Sequence, residues 1–262
     1  MQELARAKVN LSLHVLGRRA DGMHLLDSIV VFPEIGDVVR LTDGGFTISG
    51  PFGSALSTTD NLVLKTGALM GRPSGYHLEK NLPVASGIGG GSADAAAVVR
   101  LLFRGELPDM LPLGADIPAC VISRPLRMQG VGEHLTRLPP LPGFSMVLAN
   151  SGAAVSTAAV FNALKNIDNP PAPDLPAWLE LPALFSYLAA LRNDLQDAAI
   201  SLCPDISLVL RALSDQPDCA LARMSGSGGT CFGLFETLAQ AKQAAQVIKR
   251  QNPDWWVVAA RG

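Results

Sequence analysis

Pro83-Val84-Ala85-Ser86-Gly87-Ile88-Gly89-Gly90-Gly91-Ser92-Ala93-Asp94-Ala95-Ala96-Ala97 is the stretch from which the rest of the chain can be read. Four glycines and two serines run directly into an alanine-rich helical pattern. Glycine lets backbone N–H groups approach a ligand with no Cβ in the way. A helix starting there adds unpaired N–H donors and the positive end of its dipole. Together these make a site for phosphate, and so for a nucleotide. A flexible linker ahead of a core helix would have a similar composition, but linkers are rarely bounded by proline and an apolar helix.

Two familiar phosphate loops do not fit. The P-loop ends in Gly-Lys-Ser/Thr, whereas Gly91-Ser92 is followed by Ala93 and no lysine lies between Pro83 and Ala97. The dinucleotide fingerprint needs glycine at its sixth position and an acidic residue after the next strand. Gly87-Ile88-Gly89-Gly90-Gly91-Ser92 has serine at the sixth, and the stretch further on, Leu107-Pro108-Asp109-Met110-Leu111-Pro112, is broken by proline. The loop is of a third type.

Composition narrows the function. The 262 residues are 48% hydrophobic and 17% charged, enough for one large or two modest cores. A net charge of −2, no basic run and only 5% aromatics argue against nucleic acid as a partner. No apolar run is long enough to span a bilayer, and Met1–Arg6 has no apolar signal core, so a cytoplasmic protein is expected. Cys120, Cys203, Cys219 and Cys231 are widely spaced without a CxxC pair, which points to buried free thiols in a reducing compartment.

From residue 5 to 15 the chain alternates. Ala5, Ala7, Val9, Leu11, Leu13 and Val15 make one face of a strand; Arg6, Lys8, Asn10, Ser12 and His14 make the other. Gly17–Gly22 reads as a turn. Val38–Leu41 and Phe46–Ile48 read as strands joined in a hairpin by Asp43-Gly44-Gly45. Asp60-Asn61-Leu62 opens a helix that Gly71 ends. Tyr76–Lys80 is a strand entering the glycine loop, and Ala95, Val98, Val99 and Leu102 share a helical face. The Pro-rich segment Asn169–Pro176 is a linker or long loop. Before it come a strand at Phe144–Ala149 and a helix at Ser156–Leu164. Beyond it come helices near Leu184–Leu191, Asp194–Leu202 and Ile206–Leu213, strands near Ala220–Met224 and Thr230–Phe235, a helix near Leu238–Arg250 and a last strand at Trp255–Ala260. This mixture predicts α+β.

Five separated pieces resemble one family. Ala7–Leu13 followed by Gly17-Arg18-Arg19-Ala20-Asp21-Gly22 is similar to the opening of the GHMP kinases, and Pro83–Ala93 to their ATP-binding motif. Leu113-Gly114-Ala115-Asp116-Ile117-Pro118 resembles their catalytic-aspartate segment. Gly130-Val131-Gly132-Glu133 and Met224–Phe232 match two further motifs. The resemblance spans nearly the whole chain in order and is strongest to the branch acting on a cytidine diphosphate substrate. It implies an N-terminal ribosomal S5 domain 2-like domain (residues 1–143), a C-terminal ferredoxin-like domain (residues 144–262) and an active site in the cleft between them. It implies ATP-dependent phosphorylation, with Mg²⁺, of the 2-hydroxyl of 4-(cytidine 5′-diphospho)-2-C-methyl-D-erythritol, a step toward isoprenoid precursors. The implied partner is that small molecule, with the chain a monomer or weak homodimer.

Roles follow by position. Asp116 would take or orient the proton of the attacking hydroxyl; on its own it could equally cap the short helix opened by Ile117-Pro118. Lys8 would pair with that carboxylate and stabilise charge on the transferred group, where an isolated strand lysine is usually solvated. Asn10, two residues on and pointing the same way, would hold substrate hydroxyls or the Lys8–Asp116 pair. Pro83, Val84, Ala85, Ser86, Gly87, Ile88, Gly89, Gly90, Gly91, Ser92 and Ala93 would hold ATP, with Ser92 a candidate Mg²⁺ ligand. Asp94 reads most simply as a dipole contact in the first helical turn. Ser225, Gly226 and Ser227 would close over substrate and phosphates, or simply form a glycine-rich hairpin.

The resemblance assigns His24 and Phe161 to the cytosine base, with Thr157 nearby; Phe161 would serve equally as a core residue of a short helix. Met23 stands where the family usually has a tyrosine that packs on the ring, and its thioether can contact an aromatic face instead. Few residues separate the loop helix from Asp116, where the family usually has a longer helical excursion, which bears on the adenine side. Two other readings stay open: a sister kinase acting on mevalonate, homoserine or a sugar, and a non-catalytic nucleotide-binding module. Having both Lys8 and Asp116 argues against the second, since binding alone needs neither.

Overall fold

The computed structural model describes residues 1–105, 108–176 and 180–262. They form two compact units: residues 1–8, 34–84 and 89–124, and residues 9–33, 85–88 and 125–262. The chain therefore changes unit at Lys8–Val9 and twice within the glycine loop, and position 143 falls inside the second unit.

The first unit is a four-stranded sheet with helices. With strands numbered along the chain, its order is β1 (Gln2–Arg6), β5 (Gly36–Leu41), β7 (Tyr76–Glu79), β6 (Phe46–Ser49). The hairpin expected between β5 and β6 does not form. β7 lies between them, antiparallel to β5 and parallel to β6. Tyr76 and Leu78 of β7 are fully buried, while Phe46 and Ile48 of β6 are only half-buried. β7 takes the inner position with its Tyr76 and Leu78 enclosed, and the Asp43-Gly44-Gly45 turn becomes an ordinary loop.

Helix α1 (Leu62–Leu69) begins where expected, with the Asn61 side chain accepting the Val63 N–H, and ends before Gly71 at φ +79°. Helix α2 (Gly90–Leu102) is buried over most of its circumference. Its alanines let it seat closely on β1 and β5, while Ala95 and Val99 join Met110 and Ile117 in an apolar cluster. A short 3₁₀ turn, Leu111–Leu113, leads toward α3 (Ile117–Ile122). Leu107 of the proline-broken stretch lies outside the described residues.

The second unit holds two sheets. One contains β2 (Val9–Asn10), β3 (His14–Arg18), β4 (His24–Val31), β8 (Leu126–Gly130) and β9 (His134–Arg137), with both β2 and β3 paired to β4. The other is antiparallel, in the order β11 (Leu221–Met224), β12 (Cys231–Phe235), β10 (Ser145–Asn150), β13 (Trp256–Arg261). Reading these four strands in chain order as 1 to 4 gives 4-1-3-2, the ferredoxin-like arrangement foreseen from the motifs. Helices α4 (Thr157–Asn162), α5 (Leu181–Ala190), α6 (Gln196–Leu202), α7 (Asp205–Ser214) and α8 (Leu238–Gln251) complete it. A core running from Leu13 and Val15 through Val147, Val209 and Phe235 to Ile248 holds it together.

The single strand expected over residues 5–15 is three short ones, β1, β2 and β3. Its apolar face is buried, and so is its polar face from Lys8 on: Lys8, Asn10, Ser12 and His14 are each at most 5% exposed, while Arg6 is half-buried. The chain changes sheet at Lys8, and side chains replace the ladder at Ser12. The Ser12 Oγ accepts the Ile29 N–H at 3.2 Å, and the Ser28 Oγ donates to the Ser12 carbonyl at 2.5 Å. All four cysteines are free, Cys120 and Cys231 buried and the other two half-buried. Among the described residues no helix is long and apolar enough to cross a membrane.

Candidate active site

In the first unit Lys8 and Asp116 meet although 108 positions apart. The Lys8 Nζ donates to the Asp116 Oδ1 at 2.7 Å, with the lysine side chain 6% exposed and the aspartate 37%. Both bland readings fail here. The lysine is not solvated, and Asp116, at the N-cap of α3, makes no side-chain cap hydrogen bond. Its carboxylate faces the lysine instead and keeps an exposed edge.

Beside this pair begins α2. Gly89 sits in the left-handed region at φ +63°, and a Cβ there would lie 3.2 Å from the Lys8 Cβ and 3.9 Å from the Asp116 Oδ2. The chain thus turns into the helix against the Lys8 and Asp116 side chains. The first intrahelical bond runs from the Ala93 N–H to the Gly89 carbonyl, so the N–H groups of Gly90, Gly91 and Ser92 have no acceptor within the helix. Ser92 is half-buried, its Oγ 3.7 Å from where a Cβ on Gly114 would stand.

Asp94 does not act as a dipole contact. Its Oδ2 accepts from the Lys80 Nζ at 2.8 Å, and the same ammonium donates to the Asp37 Oδ2 at 2.5 Å. All three are nearly inaccessible. The Asp37 Oδ1 also accepts the N–H groups of Asn81 and Leu82, fixing the chain as it leaves β7. Burial pushes the Lys80 pKa down, but the Asp94 and Asp37 carboxylates outweigh it and the net shift is upward. Burial pushes Asp94 well up against the pull of Lys80, with Asp37 adding to the rise. The lysine lies directly under the helix start, 3.1 Å from a Cβ position on Gly90. Lys80 and Asp37 escaped the sequence reading; the signal was a lysine in Lys80-Asn81-Leu82-Pro83, immediately before the glycine loop. Cys120, one turn beyond Asp116, is pushed up to about 12, first by burial and then by the Asp116 charge, and stays a thiol.

In the second unit the two glycine loops interlock. Gly87 has φ +75°, and a Cβ there would lie 2.6 Å from the Ser225 carbonyl; one on Gly226 would lie 2.6 Å from the Gly87 carbonyl. The Thr230 N–H donates to the Ser86 carbonyl at 3.0 Å. The Ser225 Oγ donates to the Gly87 carbonyl and accepts the Asn10 N–H. Residues 225–229 therefore brace the first loop, a role the sequence did not suggest. The Asn10 Nδ2 donates to the Ser28 Oγ at 2.7 Å, leaving the buried Oδ1 with no partner among the described residues.

His24 and Phe161 stack, with ring centroids 4.7 Å apart and planes 25° from parallel. Phe161 is half-buried and packs against the core of the second unit. Burial, then the Arg18 charge, holds the His24 pKa below the usual histidine value. Met23 is 49% exposed, held by the turn bond from the Arg19 N–H to its carbonyl. The hydroxyls of Thr157 and Ser227 meet at 2.7 Å. The Gly130–Glu133 motif is a turn between β8 and β9, closed by the Glu133 carboxylate accepting the Val131 N–H.

Residues 57–123 match the family model described as the GHMP kinases N terminal domain, and residues 176–254 that described as GHMP kinases C terminal. The chain belongs to the GHMP kinase family. Within it, the chain is 53% identical to a protein of Paracoccus denitrificans (strain Pd 1222) named 4-diphosphocytidyl-2-C-methyl-D-erythritol kinase, over 99% of this chain and 96% of the relative. A crystal structure of 4-(cytidine 5′-diphospho)-2C-methyl-D-erythritol kinase superposes with a TM-score of 0.79 at 32% identity, covering all of both chains. A homoserine kinase from Cytophaga hutchinsonii superposes at 0.59 with 18% identity, covering 100% of this chain and 94% of its own, which is a likeness of fold.

Proposed function

We infer that this chain transfers the terminal phosphoryl group of ATP to the 2-hydroxyl of 4-(cytidine 5′-diphospho)-2-C-methyl-D-erythritol, in the cytoplasm. The observation that carries this reading is the Lys8–Asp116 pair at 2.7 Å against the start of α2. A binding module has no use for a carboxylate set beside a lysine and free of capping duty. As the acceptor hydroxyl attacks, its oxygen bonds to the γ-phosphorus, its proton passes to Asp116 and ADP leaves. Lys8 offsets negative charge on the moving phosphoryl group. The free N–H groups of Gly90, Gly91 and Ser92 hold the phosphates at the positive end of α2.

Mg²⁺ fits these residues. Among the described residues no cluster of three His, Cys, Asp or Glu side chains forms a metal cage; Mg²⁺ in kinases rests mostly on phosphate oxygens and water, with few protein ligands. The half-buried Ser92 hydroxyl is the candidate ligand, whereas Asp94 is committed to Lys80. When bound, the ion neutralises charge on the phosphate oxygens.

The cytidine end is assigned to the His24–Phe161 stack, and the choice over mevalonate or homoserine rests on it. A neutral imidazole offers one donor and one acceptor to a pyrimidine edge. Phe161→Ala is expected to weaken CDP binding about tenfold, within the ~1–3 kcal/mol that a base–aromatic stack contributes. Calorimetric titration with CDP checks this, and unchanged affinity would make Phe161 a core residue alone. Gly89→Val places a branched side chain at φ +63° against Lys8. With ~1–2 kcal/mol of backbone strain added to the blocked approach, the KM for ATP is expected to rise about tenfold or more. An unchanged KM would remove Gly89 from the cradle.

A further inference from the structure

One buried amide ties the second unit's site residues together. Asn193, between α5 and α6, is 8% exposed. Its Nδ2 donates to the Met224 carbonyl at 2.8 Å and to the Gly226 carbonyl at 2.9 Å, and its Oδ1 accepts the Leu195 N–H at 3.0 Å. The amide thus grips the chain on both sides of Ser225. Ser225 in turn holds the Asn10 N–H at 3.0 Å. The backbone around Asn193 closes the circle: the Leu13 N–H donates to the Arg192 carbonyl and the Asp194 N–H to the Leu13 carbonyl, at 2.9 and 2.8 Å. Arg223, also buried, donates to the carbonyls of Leu11 and Leu191.

All these bonds converge on the segment that carries the Asn10 Oδ1, a buried oxygen without a partner among the described residues. An unsatisfied buried acceptor costs ~1–3 kcal/mol unless a ligand supplies the donor. A hydroxyl of a polyol substrate is such a donor, and it is recognised only if the oxygen is held in place. We propose that Asn193 is a positioning residue for acceptor binding: by clamping Met224 and Gly226 it holds Ser225 against Asn10, so that the Asn10 Oδ1 meets a substrate hydroxyl. This rests on the reading above, in which Asn10 binds the acceptor. The clamp also reaches the first glycine loop, through the Ser225 Oγ bond to the Gly87 carbonyl, but that loop keeps a separate tie, Thr230 to Ser86, so the larger effect falls on the acceptor.

The test is a double-variant cycle in the full-length chain. Asn193→Asp keeps the shape but sets oxygen against two carbonyls; Asn193→Ser removes the donors without adding charge and serves if the aspartate variant does not fold. In the wild-type background the KM for the cytidine diphosphate acceptor is expected to rise about tenfold, with the KM for ATP within about twofold. In an Asn10→Ala background the same change should add less than about twofold to the acceptor KM, because the clamp works through Asn10. Equal losses in both backgrounds, or equal rises for both substrates, would overturn the proposal. Amide hydrogen exchange gives a readout apart from turnover: faster exchange at Asn10 with β10 unchanged is expected, and unaltered exchange at Asn10 overturns the clamp. A wild-type chain inactive on the acceptor would overturn the functional reading instead, while exchange still decides whether Asn193 holds Asn10.

Discussion

Asp116→Asn is expected to lower turnover by about two to four orders of magnitude, the usual range for loss of a general base, while ATP affinity changes little. Asparagine matches aspartate in shape and caps helices equally well. If Asp116 served only to start α3, the variant would be near neutral. If it takes the hydroxyl proton, the amide cannot, and its partner Lys8, 6% exposed on its side chain, loses the charge it faces. Steady-state kinetics with ATP and acceptor both varied separates these outcomes. A turnover within about tenfold of wild type would remove Asp116 from proton transfer.

Lys80→Met should produce the largest loss of stability. The substitution leaves the Asp37 and Asp94 carboxylates buried together with no cation, and breaking a buried ion pair from one side costs ~3–5 kcal/mol. The pH dependence has a definite sign. Asp94 already has a folded pKa above its unfolded value. Its contribution to stability is therefore present below the ordinary aspartate value of about 3.9 and lost as pH rises through the folded value. Without Lys80 the folded value rises further, so the variant's deficit should shrink as the solution is acidified. Urea unfolding at several pH values measures this. A deficit that stays constant with pH would mean the cluster acts by packing alone.

Much of the site was legible because its chemistry is local. The glycine loop names itself by residue type, and α2, α4 and α8 start at capping residues or glycines visible in the sequence. The Lys8–Asp116 contact was reachable only through resemblance, since nothing in the spacing brings positions 8 and 116 together. The β5–β6 hairpin failed because turn chemistry is a short-range signal. The strand that separates β5 from β6 is β7, some thirty residues further along the chain. The pattern left the burial of the polar residues 8–14 open for a related reason. Period-two alternation shows that two faces differ, but not that the second is wet; here Lys8, Asn10 and Ser12 are buried because each finds a distant polar partner. Asn193 was invisible for the same cause, since an isolated asparagine carries no mark of the partner that buries it, and Lys80 was marked only by its place just before the glycine loop.

Turnover compared across three acceptors tests the account most directly. Purified chain with ATP and Mg²⁺ would be offered 4-(cytidine 5′-diphospho)-2-C-methyl-D-erythritol, mevalonate and homoserine in parallel, with products followed by phosphorus NMR. The expected result is one new phosphomonoester on the 2-hydroxyl of the cytidine compound and no transfer to the other two. Transfer to mevalonate or homoserine with the cytidine compound left unchanged would contradict the assignment.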